Sequence, residues 1–170
     1  MERFQDELSA GRRQLMTADH LVSITFPLVK DNKLLLSALE NLFVAAKSIM
    51  ASLLHYEETF KRIPHFKEEH DSMVYWFKLR CAPRYGLSKD YSAVMDELKL
   101  LHDDHKASAI EFSRNDCLVI CSDNYRFRKV TAAQIKSYVG VVKRMLLAVE
   151  EVVSRYEGVF GRGKGRIKAS

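Results

Sequence analysis

The chain has 170 residues, of which 47% are hydrophobic and 29% charged, with 3 prolines, 7 glycines and 3 cysteines. That is room for one domain with a sizeable core, and the composition excludes a disordered chain and a disulfide-stapled scaffold. The net charge is +5, but Arg162, Lys164, Arg166 and Lys168 stand among glycines in a closing segment, 158–170, that has no acid, so residues 1–157 carry only +1. The basic balance belongs to a Gly-spaced tail, and a tail of this kind attracts an anionic partner such as RNA, a ribosome or DNA.

The charged opening Met1-Glu2-Arg3-Phe4-Gln5-Asp6-Glu7 is unlike the apolar core of a secretory leader. A first helix is expected from about Glu2 to Met16. Thr17 is placed to cap a second segment, Ala18 to Phe26, which Pro27 ends or kinks. Asp31 then caps a long helix over about 32–62. Its residues Leu35, Leu39, Leu42, Ala46, Ile49 and Leu53 recur at spacings of four and three. Further apolar residues flank that stripe on both sides, and the polar face narrows to Ser37, Asn41, Ser48, Ser52 and His55. A helix apolar around most of its girth is surrounded by others. Leu34 to Leu54 approaches a membrane-spanning length, but Glu40 and Lys47 would each cost roughly 2.5–3.5 kcal/mol at a bilayer centre. The segment therefore reads as a buried helix with no membrane partner.

Pro64 breaks the chain before a third helix, about 67–81, and Ala82-Pro83-Arg84-Tyr85-Gly86 reads as a turn. Ser88 caps a fourth helix to about Lys106. The apolar run Cys117-Leu118-Val119-Ile120-Cys121, turn chemistry at 122–124 and the alternating stretch Tyr125 to Val130 predict a β-hairpin over about 117–130. Thr131 caps the last helix, about 132–157, with Gln134 placed to complete a capping box. Its wide stripe through Ile135, Val139, Val142, Leu146, Val149 and Val153 suits a bundle, and Val141, Leu147 and Ala148 leave its outer face partly apolar. The expected fold is all-α: a single-domain bundle of about five helices with a small β-hairpin inserted before the C-terminal helix, the second and last helices forming the central pair.

Several residues carry possible chemistry. His102 and His105 are three apart on one helix face, a workable spacing for a divalent ion, yet no further ligand is named by the sequence, and no metal or other cofactor is expected. The three cysteines have neither a zinc nor a redox spacing, which fits a reducing, cytoplasmic setting. Cys81 stands between Arg80 and Arg84, where cations lower a thiol pKa. In the hairpin, Arg126, Arg128 and Lys129 beside Tyr125 and Phe127 could hold phosphates and stack on unpaired bases. Strand alternation puts Tyr125, Phe127 and Lys129 on one face, which is either a stacking platform or the side facing the core.

Arg13, six intervening residues and His20 resemble the Arg-x4–6-His motif of HEPN-type all-α domains, many of which cut RNA. The resemblance covers eight residues and implies that His20 would serve in acid–base catalysis and Arg13 would hold the phosphate. The chain departs from that pattern in carrying the motif early and in placing Gln14 after the arginine. The stretches Ala18 to Val22 and Pro27 to Asp31 resemble small archaeal proteins of unassigned function. The function expected from the sequence is a non-enzymatic RNA- or ribosome-associated protein, a homodimer attached through Arg162, Lys164, Arg166 and Lys168 and contacting its partner through Arg126, Arg128 and Lys129. The alternatives are an adaptor dimerising through the last helix or the hairpin, and a HEPN-like ribonuclease using Arg13 and His20.

Overall fold

A computed structural model describes residues 2–107, 110–114, 117–121 and 126–160. The tail cations Arg162, Lys164, Arg166 and Lys168, and the hairpin's Tyr125, lie outside the described residues. Among the described residues, seven helices gather into five rods. The first is α1 (Arg3–His20), a π turn at Leu21–Thr25 and α2 (Phe26–Val29); α3 (Lys33–Thr59) is the second. The third is α4 (His70–Trp76), a π turn at Phe77–Cys81 and α5 (Ala82–Tyr85). The last two are α6 (Lys89–Ala107) and α7 (Ala132–Phe160), with β1 (Ile110–Arg114), β2 (Cys117–Cys121) and β3 (Phe127–Thr131) between them. This is the expected all-α bundle with a β insertion before the last helix.

The first rod corrects the expectation of a cap at Thr17. The helix runs through it, and the Thr17 hydroxyl donates to the Arg13 carbonyl one turn back, 3.0 Å away. What marks the later break is proline. A proline ring strikes the carbonyl four residues earlier and brings no N–H to the ladder. Both rods that contain an internal proline widen into a π turn just before it, so that the Phe26 and Ala82 amides reach back five residues to the Leu21 and Phe77 carbonyls. Each then adds one α turn and stops at a left-handed residue, Lys30 at φ 58° or Gly86 at φ 61°. Pro27 and Pro83 therefore displace a rod by one wide turn rather than ending it, and Ala82 to Tyr85 is a helical turn, not a loop.

Capping follows the sequence at three other points. Asp31 Oδ1 accepts the Lys33 amide at 3.0 Å, Ser88 Oγ the Asp90 amide at 3.2 Å, and Thr131 Oγ1 the Gln134 amide at 3.1 Å. Gln134 differs from its expected part, because its side-chain amide donates forward to the Tyr138 hydroxyl at 2.7 Å.

α3 is the axis of the bundle, with Leu35, Leu42, Ile49, Leu53 and Leu54 fully enclosed. It is long and apolar enough to cross a membrane by length and composition alone, and here α1, α6 and α7 pack around it. Its closest partner is α1, not the last helix as expected. The reason is Gly11: a Cβ there would stand 2.8 Å from Ile49 Cγ1 and 3.2 Å from the Ala45 carbonyl oxygen. Glycine on α1 facing Ala45 on α3 lets the two backbones approach more closely than larger side chains allow. Ser52 Oγ donates across the same interface to the Phe4 carbonyl at 2.6 Å, and Asp19 on α1 pairs with Lys143 on α7 at 2.7 Å.

The sheet has order β1-β2-β3, both pairs antiparallel, so the expected hairpin is present and β1 adds a third strand. Leu118 and Ile120 of β2 and Val130 of β3 enter the core. Phe127 and Lys129 lie on the opposite face of β3 and are exposed. Of the two sides left open by alternation, the aromatic–basic face is the outward one.

Substituting Gly11→Val should lower stability by about 1–3 kcal/mol, the range for overpacking a tight interface. Urea denaturation reads it, and an unchanged midpoint would mean that α1 and α3 do not meet at Gly11.

Candidate anion-binding cleft

α3 ends in a Schellman motif. Lys61 takes the left-handed conformation at φ 56°, and the Arg62 amide donates to the Glu57 carbonyl at 2.9 Å. That motif brings the residue after the left-handed one back against the last helical turn, where an apolar pair commonly meets. Here the pair is ionic: Arg62 Nη1 lies 3.2 Å from Glu57 Oε1. Glu57 is completely buried.

α5 supplies the other partners. The π turn and Pro83 end this rod beside the Glu57 carboxylate, so that Tyr85 donates its hydroxyl to Glu57 Oε1 and accepts from Arg62 Nη1 at 3.0 Å. Arg84 Nε lies 3.4 Å from Glu57 Oε2, an ion pair too long for a hydrogen bond, which leaves Oε2 without one. Burial, reinforced by the bond to Glu57, raises the Tyr85 pKa, so its phenol stays a neutral donor. The last turns of α7 close the site with Arg155 and Tyr156.

The result is an open cleft of about 510 Å³ lined by Tyr56, Phe60, Arg62, Arg84, Tyr85, Arg155 and Tyr156. The rings buttress one another: Tyr56 and Phe60 centroids are 4.9 Å apart, and Phe4 meets Tyr56 and Tyr156 edge-on at 5.3 and 5.4 Å. Arg62 lies over Phe60 and Tyr56, 5.2 and 5.9 Å from their centroids. Arg62 and Arg84 face the single buried carboxylate of Glu57, a surplus of one positive charge, and Arg155 adds a third guanidinium to the lining. Glu151 lies 3.6 Å from Arg155, but both are well exposed, so solvent weakens that pair. Guanidinium forks that keep spare donors beside aromatic faces can hold a phosphate and stack a base.

Among the described residues, the Arg–His pair and the hairpin cations singled out in the sequence lie elsewhere. Arg13 and His20 are exposed on α1 and do not line the cleft. Arg126 and Lys129 are exposed by the sheet, whereas Arg128 is partly buried and paired with Asp104 at 2.5 Å. From Ala132 to Tyr156 the helix rises roughly 36 Å at 1.5 Å per residue. The hairpin cations and the cleft therefore sit at opposite ends of α7 and form no single patch.

His102 and His105 do not converge. His102 stacks on Phe43 with centroids 4.5 Å apart, and His105 pairs with Glu40 at 3.2 Å. Burial, then Lys106, lowers the His102 pKa. Cys81 is corrected outright: burial, with Glu57 nearby, pushes its thiol up to about 12 and outweighs Arg84. Sequence reasoning missed the cleft because its cations come from the end of α3, from α5 and from α7, each an ordinary surface arginine in its own segment. The local signals were the basic clusters Lys61-Arg62 and Lys78 to Arg84, which read as solvated charge, and Glu57 on a helix otherwise apolar around most of its girth.

No protein-family model matches the chain, and no curated protein or solved structure matches it either.

Glu57→Ala should destabilise the fold by about 1–3 kcal/mol. That is less than the roughly 3–5 kcal/mol of a fully buried pair, because Arg62 and Arg84 regain water. A thermal melt within error of the parent would mean that Glu57 does not tie these elements. Cys81 should resist iodoacetamide at pH 8 in the native protein and react once unfolded; rapid native labelling would contradict its burial.

Proposed function

We propose that the protein binds single-stranded RNA, free or on a ribosomal surface, without cleaving it. The cleft is the folded binding surface, and the 158–170 tail the electrostatic attachment. One observation carries this reading: Arg62, Arg84 and Arg155, from three separate parts of the chain, line an aromatic-walled cleft in which Glu57 is the one buried acid among the described residues.

The chemistry suits a nucleotide better than a plain anion. Four rings, of Tyr56, Phe60, Tyr85 and Tyr156, line the same space as the arginines. Stacking of a base on an aromatic side chain is worth about 1–3 kcal/mol and tolerates any base. A volume of about 510 Å³ lies within the range of ligand sites. Connectivity adds the tail: α7 ends at Phe160, four residues past Tyr156, so the cations at 162–168 follow from the cleft end of the helix. Arg13 and His20 stand outside the cleft, which favours binding over cleavage.

Anisotropy of a labelled single-stranded RNA should show binding that weakens with salt. Every phosphate that is no longer neutralised should reduce the log–log slope by about 0.7, so removing 161–170 should reduce it by about 3, and Arg155→Gln or Arg84→Gln by about 0.7 each. The RNA should be recovered intact. Cleft variants that bind like the parent would remove the cleft from the reading, and absence of binding at low salt would end it. Cleavage that disappears in Arg13→Ala and His20→Ala would establish the ribonuclease instead.

A further inference from the structure

On the face of α3 opposite Glu57, three potential ligands converge from three segments: Glu7 of α1, His55 of α3 and Glu68 from the loop before α4. One ligand atom from each lies within 4.8 Å of the other two. His55 is 4% exposed, and its Nε2 is buried without a hydrogen-bond partner. That nitrogen nevertheless lies 3.5 Å from Glu7 Oε1 and 3.2 Å from Glu68 Oε1. Glu7 Oε2 is likewise buried without a partner.

From this arrangement we infer that Glu7, His55 and Glu68 form a binding site for a first-row divalent transition ion such as zinc. The spacing is that of a coordination shell. Bonds of about 2.1 Å in a tetrahedron separate neighbouring ligand atoms by about 3.4 Å. The imidazole selects a transition ion over magnesium or calcium, which take oxygen alone. The surrounding groups also match such a site. His55 Nδ1 lies 3.0 Å from Glu58 Oε2, so an Nδ1–H donated to that carboxylate leaves the Nε2 lone pair directed at the two glutamates. Glu58 is held in turn by His65 at 2.7 Å, and the Phe66 ring packs 4.8 Å from His55.

Arg3 competes for the same place. Its guanidinium bonds the very oxygens that face His55, Oε1 of Glu7 at 3.2 Å and Oε1 of Glu68. The Arg3 side chain is 60% exposed and can withdraw into solvent, whereas His55 cannot. An ion at this site would replace one cation with another and give Nε2 the partner it lacks. Three protein ligands leave a fourth position for water.

The test is titration of the full chain, cleared of metal, with zinc by calorimetry and with cobalt(II) by absorption. One ion should bind per chain, and the cobalt form should show the strong visible bands of tetrahedral coordination. Glu68→Gln, at an accessible residue, should weaken binding at least tenfold with the fold intact, and His55→Gln should abolish it. Arg3→Gln should tighten binding several-fold by removing the competitor, which a nonspecific surface site would not show. No ion bound by the folded parent, or binding unchanged in Glu68→Gln, would overturn the assignment. RNA binding by the cleft is read separately and can succeed or fail on its own.

Discussion

A carboxylate with no solvent exposure dictates much of one end of this molecule. Moving such a group from water into protein costs several kcal/mol even after relaxation, unless charge and hydrogen bonds replace the missing water. Glu57 meets that demand with Arg62, Tyr85 and Arg84. Each partner needs its own backbone device. Arg62 arrives through the Schellman turn with Lys61 in the left-handed region, and Arg84 and Tyr85 through the π turn and Pro83. Two of the irregular parts of the backbone, the turn at Lys61 and the π turn before Pro83, thus bring charge to the buried carboxylate. The surplus of arginine over acid then gives the surrounding surface its chemistry.

The last turn of α3 works on both faces. At 100° per residue, Tyr56, Glu57 and Phe60 point one way and His55 and Glu58 the other. One side is an arginine–aromatic cleft; the other gathers acids about an imidazole. The two share a helix turn but no ligand, so each can be tested without disabling the other. α7 separates a second pair of features: it carries the sheet at its start and the cleft at its end, and its final turns lead toward the basic tail.

Much of the bundle was legible in the sequence because it rests on periodicity. The apolar girth of α3 gave the axis of the core, and local cap chemistry at Asp31, Ser88 and Thr131 placed three helix starts. β-Branched and alternating residues marked β2 and β3. What misled was local chemistry that packing overrode. Thr17 has cap character, but a helix that buries Leu15, Ala18 and Val22 on one side gains more by continuing. Pro27 read as an end or a kink and Pro83 as part of a turn, because a π turn has no pattern that the sequence displays. Gly11 gave no hint that it sets the α1–α3 distance, since a helical glycine shows its use only beside its neighbour. Arginines 62, 84 and 155, and ligands 7, 55 and 68, are far apart in sequence. Only the fold brings them together.

The most direct test of the central claim follows the arginine side chains themselves. In a ¹⁵N-labelled sample, the Nε–Hε resonances of Arg62, Arg84 and Arg155 would be recorded while a short single-stranded RNA is added. The account predicts that these three shift together and saturate at one concentration, while Arg13 stays still. Shifts confined to the tail, or centred on Arg13 and His20, would contradict it.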